Sequence, residues 1–472
     1  MSNYLKQEKP IAVQLLKRLE NEFQYASILG VDSNGMSYGV QKSGASVQDS
    51  NWNERGFVVR VYNNDYYSEY SFNHLKEEEL DTIFNKIVGI AQSDTSYYKN
   101  TGMKNSKYPL IKEEAIQESF FGTVEKHPRS LSPKEVIGQL EAIKQDAFEK
   151  MPDLIDFRVR YEDMSINKFF ISGEKDLEQA YIWSTGANIA IAANEEGVKF
   201  AYKPSSGMKG AEILEELASR NEGTLKELEA LLISENVLAG EYEIICDPTV
   251  SGLIAHEAFG HGVEMDMFVK NRAKAIEYMD DYVASKIVNM KDGAKSAIEV
   301  SSYLFDDEGV MGTDTRIIEA GILKSGISDR LSAMVLGTQP TGNGKRQSFE
   351  RKAYARMTNT FFETGTDTLE DMIASIKKGY LLEGFQSGME DPKNWGIQCV
   401  IQLGREIIDG KLTGKIVSPV YLTGYVPDLL KSITMVSGDF ELSGSGYCGK
   451  GYKEFVKTST GGPYIKARGR LG

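Results

Sequence analysis

The 472-residue sequence predicts an α+β protein in two parts, which differ in how their strand signals are arranged. In residues 1–236, helix-like and strand-like segments alternate, and their order occurs twice. In residues 237–472, glycine-punctuated strand signals dominate. The first pattern favours a domain of helices packed on an antiparallel sheet, with a possible internal duplication. The second favours a β-rich, barrel-like domain that carries one or two helices.

Each element of the first part is predicted from its hydrophobic spacing or its turn residues. Apolar residues recur at helical spacing over residues 10–22, 75–92, 133–151 and 209–233. Strand signals cover residues 25–31, 36–41, 56–64, 66–72 and 155–163, and a hairpin is predicted over 186–204. A polar stretch, 94–131, separates the two runs. The resulting order is a helix, four strands and a helix, and the second run repeats this pattern.

In the second part, helical periodicity is rare. Strand signals are dense over residues 241–246, 309–313, 316–326 and 395–424, and helices are expected only near 248–260 and 367–378. Short alternating strands joined by tight glycine turns are typical of a closed or half-closed barrel or a sandwich. The helix near 248–260 is therefore expected to lie against this β-rich domain.

Composition excludes several classes of function. The net charge is −14, which argues against nucleic acid as a partner, because phosphate binding needs a concentrated basic surface. No stretch approaches the roughly 18 apolar residues of a membrane span. The N-terminal residues lack the apolar core of a signal peptide, and three cysteines are too few for a disulfide framework. We therefore expect a cytoplasmic protein with reduced thiols and no membrane partner.

The segment "IAHEAFGHGVEMD" contains two of the four histidines, His256 and His261, with Glu257 beside the first. In metallopeptidase helices of the H-E-x-x-H type the histidines are four residues apart. A spacing of five separates two side chains by roughly 140° on a regular helix, too far for one metal ion. Two deformations would bring both histidines to one side. One is a π-type turn, and the other is a helix that ends at Gly260 before the chain folds back. Asp247 and Pro248 make a favourable helix start.

A metal site needs at least a third ligand, and the residues alone leave two candidates. Glu264, with Asp266 nearby, follows His261 closely, while Cys448 lies in the glycine-rich segment "SGSGYCGKGY". Cys246 and Cys399 lie in apolar strand patterns and are expected to be packing residues. The alternative interpretation is that the histidines are ordinary polar residues without a metal. The two remaining histidines, His74 and His127, are expected at the surface.

Several motifs together resemble the TldD/PmbA family of metallopeptidases, once described as modulators of DNA gyrase. "HEAFGHGVEMD" is similar to the family's H-E-x-x-x-H signature. "PTGNGKRQSFERKAYARMTNTFFETG" resembles its T-G-N-G-R-R and R-M-T-N-T block, and "TMVSGDFELSGSGYCGKGY" resembles its C-terminal C-G-K segment. "GFVVRVYNND" resembles a glycine-led N-terminal strand. Lys345 replaces an arginine of the family pattern, and the usual proline before Arg356 is missing; these departures concern substrate contacts more than chemistry.

The resemblance implies an α+β N-terminal domain, residues 1–236, and a β-barrel-like metallopeptidase domain, residues 237–472. It also implies that two such chains form a dimer. It implies one zinc ion per active subunit, held by His256, His261 and Cys448, with Glu257 as the catalytic carboxylate. Because this chain keeps every motif element, it resembles the catalytic type. The partner implied is a second copy or a TldD/PmbA paralogue, and the substrate is an unfolded or extended peptide.

The function expected is therefore a zinc-dependent peptidase in which Glu257 is the general base and zinc-bound water is the nucleophile. The alternative is a non-catalytic, metal-stabilised binding subunit of a peptidase complex. Arg356 and Asn359 are candidates for substrate-binding or site-shaping contacts, or belong to a basic loop at an interface. The oxyanion donor is not evident from sequence, and Tyr447 or a backbone N–H is the suggestion.

Overall fold

The computed structural model describes residues 1–101, 107–451 and 454–472, and within these ranges the predicted α+β fold class is confirmed. None of the helices in these ranges is long and apolar enough to cross a membrane. The helices are α1 (Asn3–Glu22), α2 (Leu80–Thr101), α3 (Pro133–Lys150), α4 (Ile213–Ser219), α5 (Asn221–Leu232), α6 (Pro248–Leu253), α7 (Met265–Val269), α8 (Arg330–Leu336), α9 (Leu369–Ala374) and α10 (Val426–Lys431).

The first part is built on one large, mostly antiparallel sheet. Its strands are β1 (Tyr25–Gln41), β2 (Gly44–Asp49), β3 (Glu54–Asn63), β4 (Tyr66–Phe72), β5 (Ile116–Phe121), β6 (Asp156–Ser172), β7 (Lys175–Asn194) and β8 (Gly197–Gly207). The long strands β1 and β6 pair antiparallel at the centre. The hairpins β3–β4 and β7–β8 lie on opposite sides of this pair. The second run, helix α3 followed by β6, β7 and β8, has three strands, whereas a full repeat of the first run would have four.

The helices all pack on one face of this sheet, because side chains alternate between the faces of a strand. On β1, Ile28 packs under α1 and α2, while Leu29 faces the other way, toward Phe305 of the second part. On β6, Phe169 likewise packs under the helices, while Phe170 faces Phe305. The sheet therefore has its helices on one face, and the segments that contain Phe305 and Phe349 pack on the other.

Several predicted boundaries differ from the structure. The two strands expected over 25–41 form a single strand, β1, and the helix expected over 209–233 is divided into α4 and α5. The polar stretch 94–131 contains the end of α2 and the strand β5; residues 102–106 of it lie outside the described ranges. The domain boundary near residue 236 stays a prediction, since Leu403 and Ile416 also join the core beneath α3 and α5.

The second part contains a closed five-stranded barrel and a six-stranded sheet. The barrel order is β16-β9-β25-β19-β17, closed by the pairing of β17 with β16. The sheet order is β12-β11-β10-β15-β24-β21. The strands are β9 (Gly240–Cys246), β10 (Met290–Asp292), β11 (Thr315–Glu319), β12 (Ile322–Leu323), β13 (Gly344–Lys345), β14 (Tyr354–Ala355), β15 (Asn359–Phe362), β16 (Lys378–Asp391), β17 (Gly396–Ile408), β18 (Lys411–Val417), β19 (Val420–Tyr425), β20 (Met435–Val436), β21 (Glu441–Ser443), β22 (Tyr447–Lys450), β23 (Glu454–Lys457), β24 (Ser459–Gly462) and β25 (Ile465–Leu471).

Helix α6 lies between the barrel and the six-stranded sheet, in contact with β16 on one side and β24 on the other. Its approach to β24 is close, since a Cβ atom on Gly252 would fall 2.4 Å from the backbone of Gly461. The residues of α6 and of the turn that follows it are almost entirely buried. The candidate metal site is thus built on the most enclosed helix of the second part, a rigid support for ligand geometry.

Candidate metal centre and active site

Helix α6 begins as the sequence predicts. The Asp247 carboxylate accepts the backbone N–H of Val250 at 2.7 Å, and Pro248 occupies the first helical position. The second carboxylate oxygen of Asp247 accepts the N–H of Gly384 from β16 at 3.0 Å. Burial raises the pKa of Asp247 to about 6. The cap therefore fixes the helix start and joins it to the barrel wall.

The helix continues as a π-helical turn, Ile254–Gly260, so the first of the two predicted deformations is the one observed. The backbone N–H of His261 is directed to the carbonyl of His256, a spacing of five residues. The two imidazole rings consequently lie on the same side, with centroids 5.2 Å apart and planes at 88°. The irregular turn is the local reason why a five-residue spacing can present both histidines to one point.

Cys448 reaches the same point from a distant part of the chain. It lies on the hairpin formed by β22 and β23, although the glycine-rich sequence predicts an irregular segment. Its Sγ lies 3.2 Å from His261 Nε2. One ligand atom each from His256, His261 and Cys448 lies within 4.8 Å of the others. The structure thus brings together the three residues that the resemblance implies as ligands.

The charges of this triad are coupled. Burial acts to raise the pKa of the Cys448 thiol, but His256 and His261 beside it lower that pKa well below its usual value. Burial acts to lower the pKa of His261, whereas Glu264 and Cys448 raise it well above its usual value. The protein therefore favours a thiolate at position 448, which is the form that binds metal.

Glu264, the other candidate third ligand, lies behind His261. Its carboxylate is 3.3 Å from His261 Nδ1, the ring nitrogen that faces away from Cys448. Lys450 Nζ approaches the same carboxylate at 2.9 Å, and Arg356 Nε lies 3.7 Å away. Burial opposes ionisation of Glu264, but Lys450 and His261 lower its pKa to about 2. A carboxylate in this position orients a histidine and holds its tautomer.

Two cations, Arg356 and Lys450, connect the β22–β23 hairpin to the acidic residues that follow the π-helical turn. The Arg356 guanidinium donates to the carbonyl oxygens of Cys448 at 2.5 Å and of Glu454 at 3.2 Å. Lys450 Nζ pairs with Asp266 at 2.6 Å and with Glu264. These contacts position the backbone of Cys448 and of the residues that follow it. The sequence places Lys450 beside Cys448, where a cation favours a thiolate, but it does not predict the ion pairs of Lys450 with Glu264 and Asp266.

Arg356 and Asn359 are both buried. Arg356 is 1% exposed, and the Asn359 side-chain amide donates to the Gly293 carbonyl at 3.0 Å and to Ser302 Oγ at 3.0 Å. Neither residue lines the cavity beside the triad. Their substrate contact stays a prediction, and these partners favour the site-shaping role.

Tyr447 faces away from the triad, so the suggestion that it supplies an oxyanion donor is wrong. It precedes Cys448 on β22, and neighbouring side chains on a strand point to opposite faces. Its hydroxyl donates to Glu162 of the first part at 3.2 Å, and its ring stacks on Trp52 with centroids 4.3 Å apart. Tyr447 instead connects the hairpin that contains Cys448 to the N-terminal sheet.

The remaining cysteines and histidines lie where the sequence predicts. Cys246 and Cys399 are 0% exposed within the main core of the second part, where burial raises the pKa of both thiols. His74 and His127 are exposed. Among the described residues, only the triad gathers three such side chains in metal-binding distance.

Glu257 lines a cavity of about 420 Å³ beside the triad, together with His261, Glu264 and Tyr354. Its side chain packs against β16, where a Cβ on Gly388 would fall 2.4 Å from Glu257 Cγ. Glu257 is only partly buried, in contrast to its neighbours His256 and Ala258. A carboxylate adjacent to the ligands and open to a ligand-sized cavity has the position that a general base requires.

The donor set fits a zinc ion. Bond lengths of about 2.0 Å to nitrogen and 2.3 Å to sulfur place tetrahedral ligand atoms roughly 3.5 Å apart, close to the 3.2 Å between Cys448 Sγ and His261 Nε2. His256 Nδ1 is buried and has no hydrogen-bond partner among the described residues. Two imidazoles and one thiolate leave a fourth tetrahedral position open, as in catalytic rather than structural zinc sites.

Known proteins match this chain in sequence and in fold. Residues 239–469 match the family model described as the PmbA/TldA metallopeptidase C-terminal domain. A protein of Methanothermobacter thermautotrophicus named metalloprotease is 27% identical, with 97% of each chain covered. A protein of Saccharolobus solfataricus named zinc metalloprotease TldD homolog is 27% identical, with 88% of this chain and 89% of that protein covered.

The fold is also that of a solved relative. The crystal structure of TldE from Thermococcus kodakarensis superposes with a TM-score of 0.75 at 17% identity, over 98% of this chain and 99% of that one. At this identity the likeness concerns the fold alone. The matched domain model, the curated relatives and the arrangement of motifs agree, and the chain belongs to the TldD/PmbA family.

Proposed function

We propose that this protein is a zinc-dependent peptidase that hydrolyses unfolded or extended peptides. One observation carries the proposal: the π-helical turn and the β22–β23 hairpin bring His256, His261 and Cys448 within 4.8 Å of one another, beside a cavity that Glu257 lines. The metalloprotease names of the curated relatives support the same reaction class.

In this proposal His256, His261 and Cys448 hold the zinc ion. When bound, zinc supplies a Lewis acid that lowers the pKa of a water molecule and polarises the scissile carbonyl. Glu257 accepts a proton from the attacking water and transfers it to the leaving amine. Glu264 holds His261 in place from the far side of the ring, where their side chains are 3.3 Å apart.

The cavity supports an extended peptide as substrate. Its volume of about 420 Å³ lies within the range of ordinary ligand pockets, which is roughly 300–1,000 Å³. Tyr354 lies on the wall of the cavity, and we propose it, instead of Tyr447, as the hydroxyl donor to the oxyanion. Folded proteins do not fit such a cavity, so unfolded segments are the substrate class that we propose.

We further propose that the active form is a dimer with a second copy or with a TldD/PmbA paralogue. The structural likeness to a protein named TldE supports a family of related subunits. Light scattering of the purified chain alone, compared with the chain mixed with a paralogue, distinguishes the homodimer from the heterodimer.

Metal removal tests the proposal directly. A chelator should abolish hydrolysis of an unfolded peptide, and stoichiometric zinc should restore it, because the chain's own groups do not replace the Lewis acid. The measurements are zinc per chain and the rate of cleavage of a quenched fluorescent peptide. Undiminished hydrolysis by the metal-free protein would contradict the enzyme assignment. Zinc binding without any hydrolysis would instead favour the non-catalytic binding subunit.

A further inference from the structure

A third carboxylate on the wall of the same cavity has no role in the chemistry described above. Glu390 lies near the end of β16 and lines the cavity together with Glu257 and Glu264. Both of its carboxylate oxygens are buried, and neither has a hydrogen-bond partner among the described residues. Buried carboxylates are normally paired with a cation or hydrogen-bond donors, because an isolated buried charge is costly.

The space around this carboxylate is kept by a glycine next to a metal ligand. A Cβ on Gly262 would fall 2.9 Å from Glu390 Oε1 and 3.4 Å from Trp395 Nε1. The Trp395 indole N–H is also buried without a partner among the described residues. It is an uncharged donor and cannot neutralise a carboxylate. Gly262 therefore keeps an acidic recess open beside His261.

Two of the three cations that line the cavity are already paired with other acids. Lys450 is bound by Glu264 and Asp266, and Lys270 lies 3.0 Å from Asp266. The third, Arg272, has an exposed side chain. Glu390 thus differs from Glu264, which has both a lysine and a histidine beside it. No lysine or arginine among the described residues forms an ion pair with Glu390, so a ligand that carries a positive group would complement this carboxylate.

We propose that Glu390 is a specificity-determining residue that binds a protonated amine of the peptide substrate. This inference rests on the proposed peptidase function and names the substrate class of that site. The amine has two possible sources with one chemistry, the free N-terminus of the peptide or a lysine side chain. A charge-assisted hydrogen bond from the ammonium group to Glu390 is about twice as strong as a neutral one.

The strand geometry sets the distance of this subsite from the reacting bond. Gly388, which contacts Glu257, lies two residues before Glu390 on β16, so the two positions are on the same face of the strand. Two residues of extended chain span roughly 7 Å. The amine that Glu390 receives therefore lies within about two residues of the scissile bond.

The test uses two pairs of unfolded quenched peptides that differ only in the amine. One pair has a free or an acetylated N-terminus, and the other has lysine or norleucine within two residues of the cleaved bond. We expect wild-type kcat/KM to favour the amine in one pair by about tenfold or more, which the loss of a charged hydrogen bond predicts. The pair that responds identifies the source of the amine.

Glu390→Gln should remove this preference while zinc per chain stays unchanged. Asp391→Asn is the matched control, because Asp391 is the neighbouring, exposed acid on the same strand; it should keep the preference. The Kd of the same peptides for Glu257→Gln and for Glu257→Gln with Glu390→Gln gives a readout that needs no turnover. We expect the amine to tighten binding about tenfold in the first protein only.

Equal kcat/KM and Kd for both members of each pair in the wild-type context would overturn the proposal, as would an amine preference that survives Glu390→Gln. If no peptide is cleaved at all, the proposed function fails. In that case, a Kd that depends on the amine and loses this dependence in the Glu390→Gln variant still supports the recess as an amine site. A Kd that does not depend on the amine overturns the amine site.

Discussion

The candidate metal centre joins two segments that differ in almost every physical respect. The helix segment, residues 248–261, provides two histidines and a glutamate within six positions, and it is enclosed between the barrel and the six-stranded sheet. The hairpin β22–β23 provides only Cys448, which is 187 positions beyond His261. The helix segment builds its geometry locally, by a capped start and a π-helical turn.

The hairpin depends on contacts from elsewhere to reach the site. Arg356 holds its carbonyls, Lys450 joins it to Glu264 and Asp266, and Tyr447 anchors it to Glu162 of the N-terminal sheet. One half of the centre is therefore specified by residues that are neighbours in sequence. The other half is specified by the tertiary structure, including contacts with the first part of the chain.

The largest effect that we expect is a loss of catalysis without a loss of metal. Glu257→Gln should lower kcat by about 10²–10⁴-fold, because it removes the proposed general base and leaves the three proposed ligands in place. Zinc per chain should remain at the wild-type value. Loss of zinc from this variant would mean that Glu257 is a ligand, and the assignment of roles within the segment would be wrong.

The next effect tests how rigidly the helix segment is enclosed. Gly252→Ala should destabilise the protein by about 3 kcal/mol, because the new methyl group would lie 2.4 Å from the Gly461 backbone, which cannot rotate away. Gly223→Ala is the matched control in helix α5, where nothing lies within 4 Å. It should be neutral or stabilise by roughly 0.5–1 kcal/mol. Equal unfolding free energies in urea for the two variants would contradict the close packing of α6.

The smallest effect concerns the outer anchor of the hairpin. Tyr447→Phe removes the hydroxyl that donates to Glu162 at 3.2 Å and keeps the stacking on Trp52. We expect a loss of about 1 kcal/mol in unfolding free energy and no loss of zinc. Tyr421→Phe, at a side chain that is 41% exposed, serves as control and should change nothing. A marked fall in zinc occupancy for Tyr447→Phe would show that this anchor positions Cys448 directly.

The same contrast explains what the sequence could predict. The start of α6 at Asp247 and the need for an irregular turn between His256 and His261 follow from local rules of capping and helical period, and both are observed. The orientation of Tyr447 depends on the strand that Cys448 occupies, which the glycine-rich sequence conceals. The ion pairs of Lys450 and Glu264 connect distant segments, so no local pattern reveals them.

Errors in the fold have a similar origin. The sequence predicts two strands where β1 is continuous, because Asp32 and Ser33 interrupt the apolar pattern. In the structure Asp32 is 3% exposed and pairs with Arg55 of β3 at 2.9 Å. This ion pair allows a buried charge in the middle of a continuous strand. The helices and the closed barrel were predictable as classes, since hydrophobic periodicity reports an element's type more reliably than its ends.

Two variants decide whether the distant hairpin or the nearby acid supplies the third ligand. Zinc per chain is measured by elemental analysis in Cys448→Ser and in Glu264→Gln. We expect Cys448→Ser to lose most of the zinc, since serine is a poor ligand at neutral pH. Cys399→Ser, the control at a buried core thiol, should keep the zinc, and Glu264→Gln should retain the larger share. Zinc that stays in Cys448→Ser and leaves Glu264→Gln would show that Glu264, and not Cys448, is the third ligand.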